Sequence, residues 1–229
     1  LDNAQLFPLY LYPNGAKAHL FEEDAPTDAP DGRRPNLAPE FVAAFAERVG
    51  MAFVPDGKGD REQTFGPEDV FAYMYAVFHS PAYRRRYAEF LKIDFPRLPL
   101  PRDAAQFRAL CPLGDKLVAL HLMETTGANL PSYPEEGSHL VEAVRYTEPT
   151  ADGTPGRVWI NKTQYFEGVA PEVWAFQVGG YQVCAKWLKD RKGRTLTYDD
   201  LAHYRRVCAA LAETIRLMAA IDAVMETRG

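Results

Sequence analysis

Apolar residues recur at helical spacing in four stretches of the chain. From Ala38 to Val49 they stand at Phe41, Val42, Phe45 and Val49, and Gly50 follows, which predicts a helix ending there. Gly66-Pro67 opens a second helix, with Pro67 at the first helical position and Val70, Phe71, Tyr73, Met74, Val77 and Phe78 along it. His79-Ser80-Pro81 interrupts that run, and a shorter helix continues through Tyr83, Tyr87, Phe90 and Leu91. A third stretch, about 103–124, carries Phe107, Leu110, Leu113, Leu117, Leu120 and Met123. The last is the clearest: Thr197 is an N-cap candidate, Asp199 and Asp200 occupy the first turn, and Leu201, Tyr204, Cys208, Leu211, Ile215, Met218 and Met225 fall at steps of three, four or seven. A helix of about 30 residues there would be roughly 45 Å long.

Between these stretches the pattern changes. Residues 6–12 read as a strand before an Asn14-Gly15 turn, and an acidic, proline-containing stretch at about 22–37 reads as an exposed loop. Residues 53–66, rich in Gly and Asp, read as another loop. Phe95 to Pro101 has proline at every second or third position and must be extended. Leu140–Thr147 and Arg157–Phe166 are β-rich with Asp152-Gly153 between them, a hairpin signal. Pro171–Val178 fits helix or strand, and Tyr181–Arg191 reads as helical. The pattern predicts an α+β fold: a mixed or antiparallel sheet with packed helices and a long C-terminal helix. Within a single region, 1–229, we expect one lobe at about 1–125, a second at about 138–195, and the C-terminal helix at about 197–226.

Composition narrows this only slightly. With 229 residues, 47% hydrophobic and 25% charged, the chain has the make-up of a globular protein with a real core. No apolar run approaches the roughly 20 residues of a membrane span, so no membrane partner is expected. Three widely spaced cysteines without a CxxC predict neither a disulfide framework nor a zinc site and fit a reducing cytoplasm. The opening Leu1-Asp2-Asn3 lacks an initiator Met and a signal-peptide pattern, as expected of a processed chain or a piece of something longer.

Charge changes the picture more. The chain is net −5, yet Gly179 to Arg194 holds Lys186, Lys189, Arg191, Lys192 and Arg194 against Asp190 alone. Residues 84–108 are also basic, with Arg84, Arg85, Arg86, Lys92, Arg97, Arg102 and Arg108 against Glu89, Asp94 and Asp103. Basic islands in an acidic chain suit phosphate, although a solvated helix face gives the same count. Three consecutive arginines span nearly 200° of a helix and cannot all meet one phosphate row.

Catalytic patterns are missing. The histidines (His19, His79, His121, His139, His203) are scattered, without HxH or HExxH, and no GxGxxG, Walker loop or GxSxG occurs. Methylation of adenine's exocyclic amine needs a cradle, usually an Asp/Asn-Pro-Pro-aromatic tetrad, and the chain contains no Pro-Pro dipeptide.

Four stretches together carry a likeness: Tyr73-Met74-Tyr75-Ala76-Val77-Phe78-His79-Ser80-Pro81-Ala82-Tyr83-Arg84-Arg85-Arg86-Tyr87, Phe95-Pro96-Arg97-Leu98-Pro99-Leu100-Pro101, Val158-Trp159-Ile160-Asn161-Lys162-Thr163-Gln164-Tyr165-Phe166, and Gly179 to Arg194. In this order the chain resembles the C-terminal target-recognition (specificity) region of type ISP restriction–modification enzymes, over most of 5–225. A looser likeness reaches the specificity domains of type I and type IIG systems, with Phe78-His79-Ser80 where those relatives often have Leu-Asn-Ser.

The resemblance implies a region that reads a short asymmetric sequence in double-stranded DNA, with no cofactor of its own. An upstream methyltransferase of the same polypeptide would extrude and modify an adenine using S-adenosylmethionine, and a nuclease and a helicase-like motor using ATP and Mg would precede it. The expected DNA-binding residues are Arg84, Arg85, Arg86, Lys186, Lys189, Arg191, Lys192 and Arg194 for phosphates, and Asn161, Lys162 and Gln164 for base edges. On one continuous strand Asn161 faces away from Lys162 and Gln164, so only one register serves. The two basic segments are expected to grip the duplex together. Two other functions stay open: a protein-docking domain for partner subunits, and a metal-dependent nuclease fragment using acidic residues such as Asp56 and Glu62.

Overall fold

The computed structural model describes residues 6–13 and 32–226. The Asn14-Gly15 turn, His19 and the acidic stretch 22–31 lie outside the described residues. The chain divides into two compact units, Leu1–Val118 with Met218–Gly229, and Ala119–Leu217. The architecture is α+β, as the pattern predicts: helices, several very short strand pairs and a long C-terminal helix.

In the first unit, β1 (Tyr10–Leu11) pairs antiparallel with β2 (Arg34–Pro35). Helix α1 (Pro39–Val49) ends where Gly50 adopts a left-handed conformation, φ 65°, and donates its N–H to Ala46 O. The parallel strands β3 (Ala52–Phe53) and β4 (Thr64–Phe65) flank the Gly/Asp-rich loop. Helix α2 (Pro67–His79) begins with Gly66 as N-cap and Pro67 at the first position. Ser80 ends it and caps α3 (Pro81–Arg86): its Oγ accepts the Tyr83 N–H at 3.0 Å and donates to Asp222 at 2.5 Å. Asp222 also accepts the Ala82 N–H at 3.0 Å. A 3₁₀ turn at Phe90–Lys92 leads into the proline-rich extended segment and then to α4 (Ala104–His121).

Aromatic rings fill the core of this unit. Phe45 lies 5.1 Å from Phe65, 5.7 Å from Tyr73 and 5.2 Å from Phe107, centroid to centroid. Helices α2 and α4 meet backbone to backbone at Gly114, where a Cβ would stand 1.9 Å from Ala72 O. A buried ionic cluster pins the 57–66 loop to α2 and α4. Asp69, fully buried, accepts hydrogen bonds from the Gly59 N–H (2.6 Å), the Gly66 N–H (2.9 Å) and Arg61 Nε (2.7 Å). Arg61, itself at φ 61°, continues to Asp115, which also receives Lys58.

In the second unit, β5 (Arg145–Thr147), β6 (Arg157–Trp159) and β7 (Tyr165–Glu167) form an antiparallel sheet in that order. Helix α5 (Pro171–Ala175), the hairpin β8 (Gln177–Val178) and β9 (Tyr181–Gln182), and α6 (Val183–Lys189) follow. The helix expected over Tyr181–Arg191 therefore starts two residues later, after a strand. Helix α7 (Tyr198–Glu226) opens with a reciprocal cap: Thr197 Oγ1 accepts the Asp200 N–H at 3.1 Å, and Asp200 accepts the Thr197 N–H at 3.0 Å. Val158, Ile160, Phe166, Leu188, Leu196, Tyr204 and Cys208 form the core of this unit.

Candidate nucleic-acid interface

The sequence leads one to expect a continuous strand through 157–166. The structure breaks it after Trp159, and Asn161 is the cause. Its Oδ1 accepts the backbone N–H groups of Thr163 (3.0 Å) and Gln164 (2.7 Å), closing a turn between β6 and β7. Its Nδ2 donates to Leu140 O at 3.1 Å and to Gln164 Oε1 at 3.0 Å.

Gln164 is 1% exposed and equally occupied. Its Oε1 accepts the His139 N–H at 2.8 Å, and its Nε2 donates to Glu135 O at 3.1 Å and lies 3.0 Å from His139 Nδ1. Because that amide nitrogen is a donor, Nδ1 must accept, and the Tyr133 hydroxyl at 3.1 Å donates to it as well. Burial pushes the Tyr133 phenol up to about 12, so the donor proton stays in place. The two amides expected to read base edges thus spend their hydrogen-bonding capacity inside the unit, holding segment 133–142 against the β6–β7 turn. Lys162, between them, is exposed.

Segment 139–142 has a second neighbour. Val141 and Gly193 exchange with residues across from them: Val141 N–H donates to Arg194 O (3.0 Å), Gly193 N–H to Val141 O (2.8 Å) and Leu196 N–H to His139 O (2.9 Å). On its other side the Glu142 N–H donates to Ile160 O at 2.8 Å. One extended segment therefore separates the Lys162 turn from the end of the basic island. Two strand spacings put Ile160, at the start of that turn, roughly 10 Å from the Gly193–Arg194 backbone.

Within the island the cations differ. Lys186 is paired with Asp190 at 2.5 Å along α6. Arg191 lies flat on Trp187, 3.5 Å from the ring centroid, donates to Trp187 O at 3.0 Å, and stands 3.7 Å from Asp200. Lys189, Lys192 and Arg194 are exposed, and among the described residues Lys189 and Lys192 have no ion-pair or side-chain hydrogen-bond partner, while the Arg194 charge helps hold the Asp200 carboxyl below its usual value, after the backbone hydrogen bond from Thr197.

The arginines of the first unit sit on the last turn of α3, where cations complement the helix dipole. Arg84 donates to Phe78 O at 2.6 Å, Arg85 lies 3.9 Å from Asp222, and the Arg86 guanidinium stands 5.5 Å from the centroid of Tyr87. Two of the three therefore also serve the α2–α3 corner.

The residues named for a nuclease are engaged elsewhere. Asp56 pairs with Arg33 at 2.8 Å, and Glu62 receives Arg108 at 2.8 Å. No group of three or more His, Cys, Asp or Glu side chains is placed to hold a metal ion among the described residues. All three cysteines are buried thiols. None of the described helices is long and apolar enough to cross a membrane.

Sequence reasoning missed the β8–β9 hairpin, although Gly179-Gly180 between apolar residues is a hairpin signal. It also missed the role of segment 139–142, which no local pattern announces.

Two solved structures share the fold. DrdV, in a complex with DNA, matches with a TM-score of 0.59 and 21% identity over 81% of this chain and 20% of that one. The ATP-dependent Type ISP restriction-modification enzyme LlaBIII, bound to DNA, matches with a TM-score of 0.59 and 16% identity over 93% of this chain and 14% of that one. The chain thus spans a fifth or less of the length of these proteins. A search of curated proteins found no match. The family model for the Type ISP C-terminal specificity domain matches residues 1–220, nearly the whole chain, and the chain belongs to that family.

Proposed function

We propose that this chain recognises a short sequence in double-stranded DNA as the specificity region of a restriction–modification enzyme. The observation that carries the reading is the family match over 1–220. The surface chemistry supports it: Lys189 and Lys192 are exposed and unpaired among the described residues, and the exposed Arg194 lies at the end of the same island. Unpaired cations give affinity through phosphate contacts and counterion release, while polar and apolar side chains nearby read base edges.

Chemistry belongs to the rest of a longer polypeptide. In this proposal an upstream adenine methyltransferase supplies the S-adenosylmethionine site, and further domains use ATP and Mg. The residues of this chain do not fit those groups, since it has neither a Pro-Pro tetrad nor a glycine-rich phosphate loop. Its own task is to bind and orient the duplex.

The test is duplex binding by the purified chain as a function of salt. The expected result is an affinity that falls with salt. Replacing Lys189, Lys192 and Arg194 together with alanine should reduce the log–log slope by about 2–3, at roughly 0.9 per phosphate contact, equally for all sequences. A slope unchanged by the triple substitution rejects their phosphate role, and a wild-type slope near zero rejects DNA contact.

A further inference from the structure

Residues 176–183 form a tight hairpin whose surface has a specific chemistry. Gln177 pairs with Gln182 and Val178 with Tyr181. Gly179 and Gly180 close the loop at φ 57° and 82°. Two positive φ values in a two-residue loop make a type I′ turn, which matches the twist of the flanking strands. No atom lies within 4 Å of a Cβ built on either glycine, so the tip is open and the glycines serve the backbone conformation alone.

The base of the hairpin is fixed. The Val183 N–H donates to Phe176 O at 3.1 Å, and both side chains pack against the core of the second unit. The result is a short, supported finger. In such a ribbon, directly paired residues share a face. One face presents Val178 and Tyr181, 62% and 63% exposed, and the other presents Gln177, also exposed. Lys186 stands 5.7 Å from the Tyr181 ring centroid, and the unpaired cations of the island follow in the chain.

An exposed cross-strand apolar pair, an exposed amide and adjacent cations match the groups of a duplex groove. Amides pair with adenine N6 and N7, apolar side chains meet the thymine methyl, and cations meet phosphate. The major groove, about 12 Å wide, admits a two-stranded β-ribbon. Resting on the DNA-recognition reading above, we infer that the β8–β9 hairpin is a base-reading element. One face of the ribbon lies on the base edges, through either Gln177 or the Val178–Tyr181 pair, and Lys189 and Lys192 hold the flanking phosphates.

The experiment selects preferred duplexes from a randomised pool with the wild-type chain. It then measures the affinity ratio of selected to scrambled duplex for Gln177→Ala and for the double variant Val178→Ser/Tyr181→Ser. The triple Lys189→Ala/Lys192→Ala/Arg194→Ala variant serves as the contrast. Each lost base contact should reduce the ratio by roughly 5- to 150-fold, with the salt slope on scrambled duplex unchanged. The triple variant should do the reverse, lowering the slope and keeping the ratio. Thermal melts matching wild type check the fold, and Val178→Thr/Tyr181→Thr, which keeps the β-propensity of both positions, replaces the double variant if that melts early. An unchanged ratio in the folded hairpin variants overturns the hairpin assignment and leaves the domain's role standing. A wild-type chain that retains no duplex at low salt overturns both.

Discussion

At the scale of single residues, buried polar groups fix conformations that the apolar pattern leaves open. Asp69 is fully buried and accepts three hydrogen bonds, one from a guanidinium. Removing one partner of such a pair strands the other, so Asp69→Ala should destabilise the chain by about 3–5 kcal/mol, read from the urea midpoint. Asn161→Ala leaves the Gln164 N–H and Leu140 O without their partner and should cost about 1–3 kcal/mol. If Asn161 instead contacted bases, the substitution would alter sequence preference and leave the midpoint in place.

Asp60 gives a pH signature. Its carboxylate accepts the N–H groups of Thr64, Glu62 and Gln63, which lowers its pKa from 3.8 to about 2. A lowered folded-state value means stability that is present above the unfolded pKa and is lost as pH falls through the folded one. The difference in unfolding midpoint between wild type and Asp60→Ala should therefore be constant above about pH 5 and shrink toward about pH 2. A difference independent of pH across that window would refute the assignment.

At the scale of elements, close helix contact makes the sharpest prediction. Gly114→Ala places a methyl group against Ala72 O, so α2 and α4 must separate. Overpacking of this kind costs about 1–3 kcal/mol, and the melting temperature should fall accordingly. The helices were readable in the sequence because spacing and caps agree: Gly50 after α1, Pro67 opening α2, Thr197 before α7. The strands were harder to read. Runs of two or three residues carry no usable alternation, and the break after Trp159 depends on Leu140 and Gln164, partners 21 and 3 positions away. The same dependence hid what two of the candidate residues do. Asn161 and Gln164 have the chemistry of base readers, and only their partners reveal that they are spent on the fold. Lys186 and Arg191 count as cations in the sequence, and the structure pairs one with Asp190 and lays the other on Trp187.

At the scale of the whole molecule, the charge distribution outweighs the total. A chain of net −5 repels a duplex in general, so the proposed contact has to run through local surfaces that reverse the sign. Charge reversal at Lys162 and Arg194, both exposed, should weaken duplex binding more than reversal at Lys186, whose charge Asp190 already offsets. Filter binding at low salt measures the order. Equal losses at all three positions would mean that only net charge counts. The family was legible from its motifs: the stretches that carried the likeness lie between Tyr73 and Arg194, the likeness was expected over most of 5–225, and the family model covers 1–220.

Asp222 reaches back 142 positions to Ser80 and 140 to Ala82. The corner where α2 gives way to α3 is thus completed by a residue four places from the end of α7. Anyone shortening this chain for crystallisation or fusion has a fixed limit: a cut before Asp222 would unpick a corner in the first half of the chain.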